Sequence, residues 1–512
     1  MFVKSYCSSI SGIEAVTVAV EVNITAGIGM YLVGLPDNAV RESQERIRAA
    51  FENCEYKMSG KKVVVNLSPA DLRKEGSAYD LPIAVAMLAA SGQIDAAPLS
   101  RYVLLGELSL DGSLKPVRGV LPVAVRARSE GLRRVVLPVE NAAEAAVVDG
   151  IEVIGATTLR QVVGYLNGEA EIAPAVPADD EPFDAAATHY AEDFADVRGQ
   201  MHVKRALEIA AAGGHNVIMV GAPGSGKTML ARRLPTILPP LSREEALETT
   251  KIHSVAGKAG VTGGLMTRRP FRAPHHTASQ VAVIGGGQSP RPGEVSLAHN
   301  GVLFLDELPE FGRSVLEVLR QPLGEKKIVV SRARYSVEYP ANFTLVAAMN
   351  PCPCGYYNHP TKECTCSPGS VHRYMGRISG PLMDRIDLHV EVTPVTPQEL
   401  SAAAPGEASA AVRERVIRAR AVQEARFGGV EGVHTNSMMN SAMLREYCRL
   451  DAASAALLER AMERLSLSAR AYDRILKAAR TIADLAGRAD IVQADIAEAI
   501  NYRSLDRGNW GR

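Results

Sequence analysis

The sequence predicts a multi-domain α/β protein, with an α+β front unit, a phosphate-loop α/β core and a helical end. Three observations predict it. The chain has 512 residues, more than one ordinary core holds, so two to four domains are expected. Its middle carries an apolar run, a glycine-rich loop and a helical stretch in that order. Its final stretch is dominated by Ala- and Arg-rich helical patterns.

Composition narrows the classes. Hydrophobic residues make up 46% and charged residues 22%, the balance of a soluble globular chain. Lys+Arg and Asp+Glu both number 57, so any nucleic-acid contact must come from local basic features. No stretch approaches the roughly 18 uninterrupted apolar residues of a membrane span, so no membrane partner is expected. Met1-Phe2-Val3-Lys4-Ser5-Tyr6-Cys7 lacks a basic segment followed by an apolar one, so no signal peptide is read and a cytoplasmic protein is expected. Four of the seven cysteines fall between Cys352 and Cys366, a clustering that favours metal over disulfide in such a chain.

Residues 1–168 read as a unit of their own. Ala15 to Val22 and Lys62 to Leu67 are strand runs, and Asn38 to Asn53 has helical spacing between them. Asp80 to Leu88 begins a buried helix, and Tyr102 to Leu108 followed by Gly112 is a hairpin-like signal. Leu121 to Glu130 is helical, and Arg134 to Pro138 is a further strand. This order, with Leu105-Gly106-Glu107-Leu108 through Gly119 and Val135-Val136-Leu137-Pro138-Val139-Glu140-Asn141, resembles the Lon-protease-type domain with its ribosomal-S5-domain-2-like fold. At the places that resemblance gives to a serine and a lysine stand Pro82 and Leu121, which supply neither nucleophile nor base. The expectation is a scaffold or docking domain without peptidase activity. Residues 169–193, rich in Ala, Pro, Asp and Glu, read as a tether.

The core, residues 194–395, is organised around Gly221-Ala222-Pro223-Gly224-Ser225-Gly226-Lys227-Thr228. Asn216 to Val220 reads as a buried strand before it, and Met229 to Leu234 as a helix after it. The glycines let backbone amides curl around phosphates, and the helix start adds partial positive charge. Lys227 reaches the β- and γ-phosphates, and the Thr228 hydroxyl holds Mg²⁺. ATP is the expected ligand.

Gly301-Val302-Leu303-Phe304-Leu305-Asp306-Glu307-Leu308 supplies the second half of the site: a buried strand with two carboxylates at its C-terminal end. Asp306 is expected to hold Mg²⁺ through water and Glu307 to polarise the attacking water. Leu345 to Met349 is another buried strand, ending in Asn350, which is placed to orient that water; the alternative is an amide capping a turn before Pro351. Lys326 to Glu338 alternates on both sides of Ser331-Arg332-Ala333-Arg334 and reads as a hairpin with a basic tip. His275 and His276 lie in a Gly-rich region that could form a second pore loop, with plain structural donors the alternative, and are assigned no metal.

Cys352-Pro353-Cys354-Gly355 and Cys364-Thr365-Cys366 form a C-x-C…C-x-C array. Two such pairs can give four thiolates to one tetrahedral Zn²⁺, with His359 a substitute ligand. Reduced surface thiols or a redox pair are the alternatives. Residues 396–512 carry helices with candidate caps at Ser441, Asp451 and Ser468, and read as a helical lid.

The strings Arg269-Pro270-Phe271-Arg272-Ala273-Pro274-His275-His276-Thr277-Ala278-Ser279, Pro292 to Gly301 and Leu382-Met383-Asp384-Arg385-Ile386-Asp387-Leu388-His389-Val390 resemble magnesium-chelatase ATPase subunits. With the cysteine insert and the Lon-like front, the whole chain is identified as a member of the magnesium-chelatase-like ComM/YifB family within AAA+. The resemblance implies that Val197 and Gln200 lie against the adenine. It implies that Arg385 is a finger reaching into a neighbouring subunit's site, so that a ring of six copies is the working form. It implies that Arg332 and Arg334 touch DNA, single-stranded or branched, from the central pore. Arg470, or Arg474 one turn later, would close over the γ-phosphate in the same subunit. The implied activity is DNA remodelling driven by ATP hydrolysis, as a helicase or branch-migration motor in recombination or natural transformation. A chelatase-type motor and a protein-remodelling regulatory ATPase are the rivals.

Overall fold

The computed structural model of the protein describes residues 1–177, 183–258, 264–287, 290–332, 335–359, 361–395 and 406–503. Its front part is one seven-stranded sheet in the order Met30–Val33, Lys62–Ser68, Glu14–Thr25, Phe2–Ser11, Tyr102–Leu104, Arg134–Pro138, Glu152–Ala156. Phe2–Ser11 and Glu14–Thr25 pair antiparallel from Phe2↔Asn23 to Ser11↔Glu14. The strands beyond Phe2–Ser11 run parallel. Phe2–Ser11 is absent from the sequence reading because its inward positions include Ser5, Cys7 and Ser9, which carry no β-branched signal although all three are buried. Glu152–Ala156 and the helix Leu159–Leu166 were likewise not read.

The helix Asp80–Ala90 is apolar on every side after its first residue, and all of its residues are buried. Asp80, the exception, receives Arg46 Nε at 2.6 Å, Arg46 Nη2 at 2.9 Å and the Leu108 amide at 3.1 Å. Pro82 sits in the first turn, where its missing N–H costs nothing. Leu121, in Val120–Ser129, is fully buried. Both residues are core side chains.

The central sheet has five parallel strands in the order Phe271–Arg272, Val302–Leu305, Thr344–Met349, Val217–Gly221, Leu388–Val392. Four of them are buried or nearly so along their whole length, as strands covered on both faces must be. Val217, Met219, Phe304, Val346 and Ala348 point to one core, while Ile218, Val220, Leu303, Leu305, Leu345 and Ala347 point to another. The first core is shared with the C-terminal helices Ser409–Phe427 and Ala469–Leu485, which pack on Met201–Gly213. Gln423 Nε2 donates to the Ala212 carbonyl at 3.0 Å, and Arg503 Nη1 donates to the Ile386 carbonyl at 2.6 Å. The helical end is therefore fastened to the start of the edge strand Leu388–Val392.

The front part rests on the core at two places. Lys251 Nζ meets Glu14 at 3.0 Å beside a bond from the Gly119 amide to the Ser254 carbonyl at 3.2 Å. A Cβ built on Gly12 stands 3.2 Å from Val337 of a hairpin formed by Lys327–Arg332 and Tyr335–Pro340. The two strands of that hairpin pair antiparallel from Lys327↔Pro340 to Arg332↔Tyr335.

Candidate functional site

The strand Val217–Gly221 lies between Thr344–Met349 and Leu388–Val392, so the chain leaves the sheet at a point where strand order reverses. Gly221 must be glycine, since a Cβ there would lie 2.3 Å from the Val392 carbonyl oxygen. Gly224 and Gly226 adopt φ of 77° and 91°, the left-handed turn that points the loop amides inward. The helix Lys227–Ile237 follows directly.

Three strand ends converge on this loop. Lys227 Nζ donates to the Gly221 and Ala222 carbonyls at 2.7 and 3.0 Å and to Asn350 Oδ1 at 3.3 Å. Burial lowers its ammonium below the usual lysine range, against the pull of Asp306 and Glu307. The Thr228 hydroxyl donates to Asp306 Oδ2 at 2.8 Å, so two hard oxygens stand side by side where a magnesium ion with several waters needs them. Asp306 Oδ1 accepts the Glu307 amide at 2.9 Å, and Glu307 itself has φ 53°, a left-handed backbone rare outside glycine. The structure thus gathers Gly221 to Thr228, Asp306, Glu307 and Asn350 at one place.

Gln200 and His276 join them, with Val197 in the same entry segment as Gln200. Gln200 Nε2 donates to the Ser225 carbonyl at 2.9 Å and to the Thr393 carbonyl at 3.2 Å, tying the entry segment to the phosphate loop. Val197 is buried beside it, and its carbonyl accepts Lys204 Nζ. His276 Nδ1 lies 3.1 Å from Glu307 Oε2, with its ring edge-on to Phe311. The sequence points to a pore loop or a structural donor at His276, and not to a partner for Glu307. The signal was its place a few residues beyond Phe271–Arg272, the strand paired with Val302–Leu305.

A second cluster lies at the other end of the sheet. Leu388 pairs with Val217, and Val392 with Gly221, so residues just before Leu388 sit at the strand starts, opposite the phosphate loop. There a cleft of about 270 Å³ is lined by Leu323, Gly324, Asp384, Asp473 and four cations, Arg385, Arg470, Arg474 and Lys477. Arg470 pairs with Asp384 at 2.6 Å and Arg474 with the buried Asp387 at 2.7 Å. Burial raises the Asp387 carboxyl, but Arg474 and His215 outweigh it and hold it well below the ordinary range. Arg385 donates to the Arg320 and Pro381 carbonyls, at 3.1 and 2.8 Å. Among the described residues it has no ion pair, Asp384 being taken by Arg470 and Asp387 by Arg474. Burial, followed by Arg320, Arg470 and Arg474, lowers its guanidinium.

This placement corrects one expectation. Arg470 and Arg474 share the Arg385 cleft and do not approach the phosphate loop of their own chain, because the helix Ala469–Leu485 begins over the strand starts.

Cys352, Cys354, Cys364 and Cys366 bring their sulfurs within 4.8 Å of one another, all as free thiols. His359 turns away, its Nδ1 accepting the Thr361 and Lys362 amides. Of the hairpin tip, Arg334 lies outside the described residues, and Arg332 is placed only as the last residue of its strand.

Three family models match: magnesium chelatase, subunit ChlI, over residues 193–400; subunit ChlI of Mg-chelatase over 20–141; and the ChlI C-terminal model over 406–503. The chain is similar to competence protein ComM of Haemophilus influenzae, 45% identical over 509 residues, 98% of this chain and 97% of that one. It is similar to YifB of Escherichia coli, 44% identical over 498 residues, 97% of this chain and 96% of that one. The magnesium-chelatase 67 kDa subunit of Heliobacterium mobile matches at 27% identity over 194 residues, 32% of this chain and 29% of its own.

Proposed function

We propose a function from one premise: the chain belongs to the magnesium-chelatase-like ComM/YifB family of AAA+ proteins. It is a homohexameric ring that hydrolyses ATP between adjacent copies and uses the cycle to remodel DNA, as a helicase or branch-migration motor. The observation that carries the ATPase reading is a division of labour. Lys227, Thr228, Asp306, Glu307 and Asn350 stand at the strand ends, while Arg385, which has no carboxylate partner among the described residues, stands at the strand starts. One copy holds the nucleotide, and the next copy supplies the cation.

In this reading the loop amides of Gly221 to Gly226 and Lys227 bind the phosphates, and Val197 and Gln200 flank the base. Thr228 and Asp306 hold the magnesium ion, which neutralises phosphate charge when bound. Glu307 takes a proton from the attacking water, and Asn350 orients that water. The neighbour's Arg385 meets the charge building on the γ-phosphate, an effect of about 10³-fold or more. Arg470 and Arg474 enter the same neighbouring site, since they line the same cleft. Cys352, Cys354, Cys364 and Cys366 hold zinc. Residues 1–168, 194–395 and 396–512 act as docking domain, motor and lid, with 169–193 as tether.

DNA is the substrate in this reading: the strand Lys327–Arg332 closes on Arg332, the sequence carries Arg334 two residues on, and both would contact phosphate without reading sequence. The printed name of the Haemophilus relative, a competence protein, supports it. The test is strand displacement on branched DNA with the full chain, ATP and magnesium. Lys227→Ala and Glu307→Gln abolish displacement, and the Arg332→Ala, Arg334→Ala pair weakens DNA binding. A ring that neither binds nor unwinds DNA at low salt, where phosphate contacts are strongest, overturns the DNA reading. Metal insertion into a tetrapyrrole under the same conditions would favour the chelatase motor.

A further inference from the structure

The cysteine insert touches the nucleotide site twice. Asn350, which meets Lys227 Nζ at 3.3 Å, is followed after Pro351 by Cys352. Gly355, in the turn that holds Cys352 and Cys354, has φ 85° and lies against the phosphate loop. A Cβ built on Gly355 would stand 2.5 Å from Cδ and 2.8 Å from Cγ of Pro223. The turn is closed by a bond from the Gly355 amide to the Cys352 carbonyl at 3.0 Å.

The sulfurs themselves have the spacing of a metal site. Cys352–Cys354, Cys352–Cys364 and Cys354–Cys364 are 3.3, 3.7 and 3.6 Å apart. A tetrahedron with zinc–sulfur bonds of about 2.3 Å has edges of about 3.8 Å, so little movement admits the ion. Cys352 is fully buried, and its sulfur also accepts the Tyr357 amide at 3.3 Å, the kind of outer bond that orients a ligand. Soft thiolates at tetrahedral spacing select zinc over the hard magnesium ion that Thr228 and Asp306 suit.

We infer that zinc held by Cys352, Cys354, Cys364 and Cys366 braces the phosphate loop, through Gly355 on Pro223 and through Asn350 on Lys227, so that zinc occupancy sets nucleotide affinity. The inference rests on the zinc reading of the cluster and adds the coupling. Held by zinc, the two C-x-C turns would form one rigid unit, which packs through Gly355 on Pro223 of the loop. Without the ion, the two C-x-C turns lose their common tie, and Pro223 loses a fixed support.

Two measurements separate the parts. Elemental analysis of the purified full chain should find one zinc per copy, falling to a small fraction in Cys364→Ser. Binding of a fluorescent ATP analogue should weaken about tenfold or more when zinc is stripped by a chelator, and recover on adding zinc back. Gly355→Ala should keep its zinc and still bind the analogue about tenfold more weakly. Gly369→Ala, whose added methyl meets nothing within 4 Å, should change neither quantity. Absence of zinc from the wild-type protein overturns the metal reading. Zinc at one per copy, with affinity unchanged within twofold on stripping, overturns the coupling alone. Should Gly355→Ala fail to fold, judged by circular dichroism, the stripping experiment decides by itself.

Discussion

His276 Nδ1 stands 3.1 Å from Oε2 of Glu307, so the proposed water-activating carboxylate is tethered to the segment that follows the neighbouring strand Phe271–Arg272. Glu307 is half-exposed and its backbone is left-handed, so little else fixes its side chain. A carboxylate that is free to swing spends less time aligned with the attacking water, and misplacement by about 1 Å can cost as much as 10²-fold. His276→Ala should therefore lower kcat by about ten- to a hundredfold while leaving ATP affinity within twofold. His276→Gln, which keeps a donor, should recover part of the loss. A rise in KM with kcat unchanged would show that His276 serves binding instead.

Gln200 joins three pieces of chain, its own entry segment, Ser225 of the phosphate loop and Thr393 after the edge strand. Losing two neutral hydrogen bonds costs roughly 1–2 kcal/mol, which is about tenfold in a binding constant. Gln200→Ala should weaken ATP binding by about that factor without changing kcat at saturation. Equal affinity in a titration of the variant and the parent would deny Gln200 any part in the nucleotide site.

Acid should destabilise the fold in two stages. His253 and His389 are held neutral by burial, His389 well below the ordinary histidine range with the Arg503 guanidinium adding to the effect. The unfolded chain takes up these protons near pH 6.5 and the folded chain refuses them. The stability that each neutral ring contributes is therefore complete above about pH 6.5 and is lost as pH falls, at up to about 1.4 kcal/mol per unit per site. Asp387 has a depressed folded pKa, so its contribution is present above the unfolded value of about 3.9 and is lost only below it. Thermal melts between pH 7.5 and 5 should show a falling Tm, with a shallower slope in His389→Gln. A Tm that is flat across that range would contradict the burial argument.

How much could be read from the sequence depended on whether a feature was local in the chain. Gly221 to Thr228 and Asp306-Glu307 are strings whose strand and loop context lies within a few residues, and the structure gathers them. His276 was invisible because its partner lies 31 positions later, across two adjacent parallel strands whose order no local pattern gives. Arg470 was misplaced for the same reason. Its helix start was read correctly from Ser468, which caps Ala471, but which end of the sheet that helix meets is a fact of topology. Phe2–Ser11 was missed because small polar residues fill its buried face.

The proposed division of the ATP site between copies has a consequence that single variants cannot imitate. Lys227→Ala removes the phosphate-binding ammonium and leaves Arg385 intact; Arg385→Ala does the reverse. Each should be inactive alone, because every seam of a uniform ring then lacks one half. Mixed in equal amounts and allowed to assemble, the two should recover activity. A seam works when an Arg385→Ala copy presents its intact loop to a Lys227→Ala copy with its intact finger, and random mixing around a closed ring makes that about one seam in four. Roughly a quarter of wild-type ATPase is therefore expected if seams act independently, and less if they must fire in sequence. Arg470→Ala should complement Lys227→Ala in the same way, since Arg470 lines the same cleft as Arg385. Were Arg385 to serve the nucleotide of its own chain, every copy carrying an intact loop in the mixture would lack it, and mixing would restore nothing.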